Sequence, residues 1–172
     1  ETIRKGEQVE VAVYDFGNGD YDPDVFKDTI TSVQQELEDV DVAVSYSTVP
    51  ENLAAEQKER INFQEPDKMD EFLDTVEDLT KDEDIAVWLA EFDTEFNGVS
   101  MSRGDILVDR SGSPMYDANM ANHEIGHELG LEHTTYAYDT MSYAPTREAV
   151  AYLRPVPYSF ESHQNWEQTL SN

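Results

Sequence analysis

The chain has 172 residues, of which 38% are hydrophobic and 10% aromatic, so it has enough apolar surface for one folded domain. It contains no cysteine, which excludes disulfides, thiolate metal sites and cysteine nucleophiles, and it has no apolar run near the roughly 18 residues of a membrane-spanning helix. The formal net charge of -27 repels phosphate backbones and argues against nucleic acid as a partner.

The predicted elements begin with a strand, a helix and a second strand. Alternating apolar residues predict strands over residues 9–13 and 40–46. Between them, Asp22 followed by Pro23 indicates the start of a helix of about four turns. This order predicts a right-handed crossover between parallel strands.

The middle of the chain is expected to complete a sheet. After Pro66, an apolar pattern over residues 69–76 predicts an amphipathic helix. Residues 85–90 read IAVWLA and are apolar on both faces, which is typical of a central strand covered on both sides. Shorter segments at 98–101 and 106–109 favour a hairpin or edge strands, and an edge strand can bind an extended peptide.

The second half begins with a long helix. Ser113 and Pro114 indicate where this helix starts, and Gly130 indicates where it ends. Beyond it the periodicity is weak, with a short helix predicted over residues 147–153 and a last helix over residues 160–170.

The long helix carries the main chemical motif. Residues 123–133 read HEIGHELGLEH and contain three of the four histidines in the pattern HExxHxxGxxH. His123 and His127 are four apart on a helix and therefore project from one face, close enough to bind one ion. Gly130 can adopt a left-handed conformation that returns His133 as a third ligand. Three nitrogen ligands and one open position are typical of catalytic zinc.

Glu124 is the predicted general base. It lies about 100° around the helix from His123 and can reach a zinc-bound water without binding the metal itself. Three neutral imidazoles leave the charge of the ion undiminished, which lowers the pKa of that water and polarises a substrate carbonyl. Glu124 would take the proton and deliver it to the leaving amine, so the motif predicts peptide-bond hydrolysis.

The motif resembles that of the metzincin zinc peptidases, which also have a methionine-containing turn beneath the metal. Met141 supplies this residue within the segment Asp-Thr-Met-Ser-Tyr at 139–143. The short step from His133 to Met141 is similar to the matrixins, whereas the Met-Ser-Tyr triplet is similar to the serralysins. The resemblance implies that Met141 forms a hydrophobic base under the zinc and that Tyr143 stabilises the oxyanion; the alternative is that Tyr143 only packs in the wall of the turn.

The resemblance also implies an α/β (α+β) metzincin-like fold, with a mixed twisted sheet, an active-site helix and a small irregular C-terminal lobe. We expect one catalytic domain over residues 1–172, with an upper lobe of about 1–130 and a lower lobe of about 131–172. By the same analogy, the edge strand near residues 98–109 would hold the substrate antiparallel, and residues 144–146 would help line a substrate pocket.

A weaker signal is a loop rich in oxygen ligands. Asn18, Asp20, Asp22 and Asp24 alternate there and can bind Ca²⁺. Turn formation and helix capping account for the same residues, so both interpretations stay open.

The acidic composition suggests the salt concentration in which the protein works. Self-repulsion at this net charge destabilises a compact state unless salt screens it, which predicts adaptation to molar salt; an ordinary acidic secreted protein is the alternative. Because the chain starts with Glu1, we expect a processed or trimmed chain, in which no signal peptide remains to be read. We expect an extracellular location and a high-salt environment, and export is argued only indirectly.

The expected partner is a polypeptide substrate, and a monomer is favoured. Three other functions stay open: a non-catalytic zinc-containing peptide-binding protein on the same fold, an acidic interaction protein with incidental histidines, and a different hydrolase reaction on the same zinc scaffold.

Overall fold

The structure is a computed structural model that describes residues 8–49, 72–74, 76, 79–80, 83–92, 97–101, 104–143 and 145–171. The strands of this part of the chain are β1 (Gln8–Asp15), β2 (Asp41–Thr48), β3 (Ile85–Ala90), β4 (Gly98–Ser100) and β5 (Asp105–Asp109). They form one sheet in the order β2-β1-β3-β5-β4, in which β4 is antiparallel to β5 and the other neighbours are parallel.

The helices with defined bounds are α1 (Pro23–Gln34), α2 (Pro114–Glu128), α3 (Pro145–Ala151) and α4 (Phe160–Ser171). The Asp22 carboxylate caps α1 by accepting the Asp24 N–H at 2.9 Å, and Pro23 is the first helical residue. Ser113 caps α2 in the same way through its Oγ, which accepts an N–H at 3.3 Å. Both helices therefore start where the capping signals predict.

The two faces of the sheet bury separate apolar clusters. In β1, the alternating Val9, Val11 and Val13 pack with α1 and α2, whereas Tyr14 points to the opposite face. There it stacks on Trp88 of β3 with ring centroids 4.5 Å apart. Because β3 contributes to both clusters, all six of its residues are buried.

Buried amides fix α2 against its neighbours. The Asn122 side chain accepts the Gln34 amide at 3.0 Å and donates to the Thr29 carbonyl at 3.2 Å, which ties α2 to α1. Asn119 donates to the Ala151 and Arg154 carbonyls, each at 2.9 Å, and so ties α2 to the C-terminal segment. The helix that carries the histidines is therefore held from two sides.

The structure confirms the predicted α/β fold with a mixed sheet, including the central strand and the antiparallel edge strand. The short helix differs from the prediction, because it starts at Pro145 and ends at Ala151 instead of covering 147–153. Residues 72–74 and 76 are helical as predicted, whereas Pro66 and Met69 lie outside the described residues. None of the described helices is both long and apolar enough to span a membrane.

Candidate zinc site

The end of α2 turns the chain back toward its own histidines. Gly130 has a φ of 95°, in the left-handed region that favours glycine. Its N–H donates to the His127 carbonyl at 3.0 Å, and the Leu131 N–H donates to the Gly126 carbonyl at 2.8 Å. These two hydrogen bonds form a Schellman motif. The turn brings His133 beside the two helical histidines, as the sequence predicts.

The three imidazoles converge on one point. Each of His123, His127 and His133 offers one ring nitrogen, and these nitrogens lie within 4.8 Å of one another. The Nε2 of His127 is 3.2 Å from the Nε2 of His123 and 2.9 Å from the Nε2 of His133. The histidines range from buried His123 to exposed His133, so the site lies at the surface with one open side.

Second hydrogen bonds fix the tautomers of two of these rings. Nδ1 of His123 lies 2.7 Å from the Thr140 carbonyl, and Nδ1 of His127 lies 2.9 Å from the Leu131 carbonyl. A carbonyl only accepts, so each Nδ1 carries the proton and each Nε2 presents a lone pair. Burial also lowers the pKa of His123 to about 3, which keeps this ring neutral.

This arrangement fits zinc. Two Nε2 lone pairs that face each other at 3.2 Å repel unless a cation lies between them. Neutral imidazoles with their other nitrogen bonded to a carbonyl are the usual donors to zinc in proteins. His123, His127 and His133 therefore form a binding site for one zinc ion.

Glu124 lies next to this site and is almost buried, with 9% of its surface exposed. Burial raises the pKa of its carboxyl to about 7, although the positive charge of Arg147 and the Ser100 N–H both oppose this rise. A nearby zinc ion would oppose it further, because it favours the anion. A Cβ at Gly98 would lie 3.4 Å from Cγ of Glu124, so strand β4 passes directly beside this side chain.

Met141 packs against α2 at Gly126, within the histidine motif, and is completely buried. A Cβ placed on Gly126 of α2 would lie 2.3 Å from Sδ of Met141 and 3.0 Å from its Cε. The glycine in the middle of the histidine motif therefore lets the methionine approach the helix. This contact shows why the HEIGH segment has a residue without a side chain at this position.

Asp139 anchors the methionine turn to α4. One of its carboxylate oxygens accepts the Met141 N–H at 2.8 Å. The Ser162 hydroxyl donates to both oxygens, at 2.9 and 2.7 Å, and the Ser159 hydroxyl also donates to the carboxylate. Because Thr140 supplies the carbonyl that orients His123, Asp139 indirectly fixes the position of a zinc ligand.

Tyr143 lies against the histidines. Its ring centroid is 3.9 Å from that of His133 and 5.4 Å from that of His123, and the residue is 69% exposed. The ring of Tyr143 therefore lies at an exposed edge of the histidine cluster.

Sequence reasoning did not identify Arg147 as part of this region. The residue appears in the sequence only as the start of a predicted short helix, but it is buried, with 3% of its surface exposed. Its charge affects the pKa values of Glu124, Tyr143 and His123. Periodicity cannot reveal such a residue, and the only signal available is a rare basic residue shortly after the methionine turn.

The oxygen-rich loop has other uses for its carboxylates. Asp22 caps α1, and Asp20 forms an ion pair with the buried Arg110, which also binds Asp15 at 2.9 Å. The contact of Asp22 is the predicted capping role, whereas the ion pair of Asp20 is a role that the sequence did not indicate. The pocket predicted to involve residues 144–146 lies largely outside the described residues and side chains.

The fold is similar to those of solved zinc peptidases. The chain matches the crystal structure of archaemetzincin from Methanopyrus kandleri with a TM-score of 0.62 and 16% identity, and the match covers 99% of both chains. A zinc-dependent peptidase from Methanocorpusculum labreanum matches with a TM-score of 0.50 and 13% identity, over 91% of this chain and 99% of that one. At these identities the likeness establishes a shared fold. No protein-family model and no curated protein matches the sequence.

Proposed function

We propose that the protein is a zinc-dependent endopeptidase of the metzincin type. The observation that carries this proposal is the convergence of His123, His127 and His133 beside the nearly buried Glu124. The fold shared with two zinc peptidases supports it. The spacing from His133 to Met141 suggests a likeness to the matrixins, and the Met-Ser-Tyr triplet suggests a likeness to the serralysins. Both likenesses stay predictions, because neither matched structure is named as a member of those groups.

The bound zinc would polarise a substrate carbonyl and lower the pKa of a water molecule. Glu124 would take the proton of the attacking water and pass it to the leaving amine. Its burial suits this exchange, because burial raises the pKa of the carboxyl toward neutral pH and so offsets part of the lowering that the zinc ion would cause. Burial also removes water that would compete for that proton.

Tyr143 would donate its phenolic proton in a hydrogen bond to the oxygen that becomes negative during attack. Strand β4 is the edge of the sheet and passes beside Glu124, so an extended peptide can pair with it while its carbonyl faces the metal site. The contact of Tyr143 with His133 and the closeness of β4 to Glu124 support these two assignments.

Substitution of the base by an amide tests the mechanism. Glu124→Gln should retain one zinc per chain but lower kcat/KM on an unstructured protein by about 10²- to 10⁴-fold, because only the proton transfer is removed. Glu132→Gln is the matched control, since Glu132 belongs to the same motif but is exposed. Unchanged turnover in Glu124→Gln would refute the assigned base, and intact substrate with the zinc-loaded wild type would favour the non-catalytic peptide-binding alternative.

Tyr143→Phe tests the oxyanion role. The ring contact with His133 is preserved, so zinc binding should be unchanged, whereas kcat should fall by about 10²- to 10³-fold. A kcat equal to that of the wild type would leave Tyr143 with a packing role only.

A further inference from the structure

Strand β4 has one face toward α2 and the other toward the apolar cluster around Trp88. Val99, in the middle of the strand, packs against that cluster. Gly98 and Ser100 alternate with Val99 and therefore point to the opposite face, which is the face of α2. In agreement with this, a Cβ at Gly98 would lie 3.4 Å from Cγ and 3.6 Å from Oε1 of Glu124.

The same two residues present their backbone groups at the free edge of the sheet. Among the described strands, β4 has one neighbour, β5. Met101 donates its N–H to the β5 segment at 2.9 Å, and Asn97 accepts an N–H from that segment at 2.9 Å. Because bonding toward one neighbour alternates along an antiparallel strand, the N–H and C=O groups of Gly98 and Ser100 point away from β5. An extended peptide that pairs with this edge would bind to these groups.

Ser100 joins this edge to the last turn of α2. It is the only residue of β4 with a polar side chain, and its hydroxyl donates a hydrogen bond to the Glu128 carboxylate. Glu128 is half-buried and lies four residues after Glu124, so both carboxylates project from the same side of α2. The Ser100 N–H also acts as a hydrogen-bond donor to the Glu124 carboxylate and lowers its pKa. One residue of β4 therefore contacts both of these carboxylates.

We propose that Glu128 is a positioning residue that holds the peptide-binding edge of β4, through the Ser100 hydroxyl, in place beside Glu124. This inference rests on the proposed function, in which a peptide pairs with β4. The strand has three residues and one described neighbour, so the sheet alone restrains its edge weakly. A hydrogen bond to a charged acceptor adds a restraint from the side of α2. Without it the strand occupies its binding position for a smaller fraction of the time, and the apparent affinity for a peptide falls by that fraction.

Two hydroxamates separate an effect on the strand from an effect on the metal site. Acetohydroxamate binds zinc but is too short to pair with a strand, whereas the hydroxamate of acetyl-Ala-Ala-Ala also carries a peptide backbone that can. On the zinc-loaded protein, Glu128→Ala should weaken the peptide hydroxamate about tenfold, as for the loss of a hydrogen bond to a charged group. Its affinities for acetohydroxamate and for zinc should be unchanged. On an unstructured protein substrate, KM should rise about tenfold while kcat stays close to that of the wild type.

Matched variants connect this effect to the hydrogen bond. Ser100→Ala should weaken the peptide hydroxamate by as much as Glu128→Ala, and the double variant should bind no more weakly than either, because both changes remove the same bond. Glu128→Gln keeps an oxygen that accepts from the Ser100 hydroxyl and should retain most of the affinity. Glu132→Ala is the control and should bind like the wild type, since Glu132 is the next acidic residue of the motif and is exposed.

Three results would overturn the proposal. The first is an equal loss of affinity for both hydroxamates in Glu128→Ala, which would place the effect at the metal. The second is binding of the peptide hydroxamate by both single variants as tightly as by the wild type. The third is a sum of the two losses in the double variant, which would show that Glu128 does not act through Ser100. A failure of the proposed function is distinguishable, because the wild type would then bind the peptide hydroxamate more tightly than acetohydroxamate but cleave no peptide.

Discussion

The close approach of Gly126 to Met141 makes Gly126→Ala an informative substitution. The added Cβ would meet Sδ of Met141 at 2.3 Å and Cε at 3.0 Å, far inside normal contact distances. Met141 is flexible but fully buried, so its side chain can move only by disturbing the turn that supports His123 through the Thr140 carbonyl. The substitution should therefore affect both stability and zinc binding.

The change in unfolding free energy caused by Gly126→Ala is the sum of two opposing contributions, helix propensity and overpacking. Alanine is favoured over glycine in a helix by up to about 1 kcal/mol. Overpacking in a closed core costs about 1–3 kcal/mol, and the shortness of the contact places this case near the upper end. The net loss in unfolding free energy should be about 1–2 kcal/mol, which lowers the melting temperature of a chain of this size by about 2–8 °C. Zinc affinity should fall about tenfold, as for other changes behind a ligand.

A double-mutant cycle with Met141→Ala isolates the contact. Met141→Ala alone should cost about 2–5 kcal/mol through the cavity it leaves, and the methyl group that Gly126→Ala adds should fill part of that cavity. The double variant should therefore be more stable than the sum predicts by at least about 1 kcal/mol in urea unfolding. A control cycle with Met120→Ala should be additive. If Gly126→Ala stabilises the protein by about 1 kcal/mol, helix propensity alone decides the outcome and the packing argument is wrong.

Three other predictions concern stability. Asp15→Asn should lower the unfolding free energy measured in urea by about 3 kcal/mol, because it removes the carboxylate that pairs with the guanidinium of Arg110. The same change at the exposed Asp28 should alter it by no more than about 0.5 kcal/mol. Equal effects of the two substitutions would contradict this prediction. Burial raises the pKa of Asp117 above 3.8, so the folded state retains a proton that the unfolded state releases. The unfolding free energy of the wild type should therefore decline relative to that of Asp117→Asn as pH rises above this value. A difference between the two unfolding free energies that does not change with pH would contradict the raised pKa. The net charge of -27 predicts that the melting temperature rises with KCl into the molar range, and equal stability without salt would count against halophilic adaptation.

Local signals explain why much of the fold could be predicted from the sequence. Asp22 with Pro23, and Ser113 with Pro114, combine a side-chain cap with a proline that needs no amide donor, so both helix starts are fixed locally. The strand at residues 85–90 is apolar on both faces because it packs against both clusters. The short helix was less well placed, since the prediction began at residue 147 and left out Pro145, which is the first helical residue.

The histidine motif could be read because its geometry is local. Helical spacing aligns His123 with His127, and Gly130 makes the turn that returns His133. Contacts between distant segments were not accessible in this way. The bonds of Asp139 to α4 and the burial of Arg147 depend on how the segments after the methionine turn pack against the rest of the chain.

The most direct test of the account is zinc K-edge X-ray absorption on the zinc-loaded protein. We predict one zinc per chain with three imidazole nitrogens at about 2.0–2.1 Å, and a loss of one of them in His133→Ala. The absence of stoichiometric zinc, or a ligand set that does not change in His133→Ala, would contradict the account.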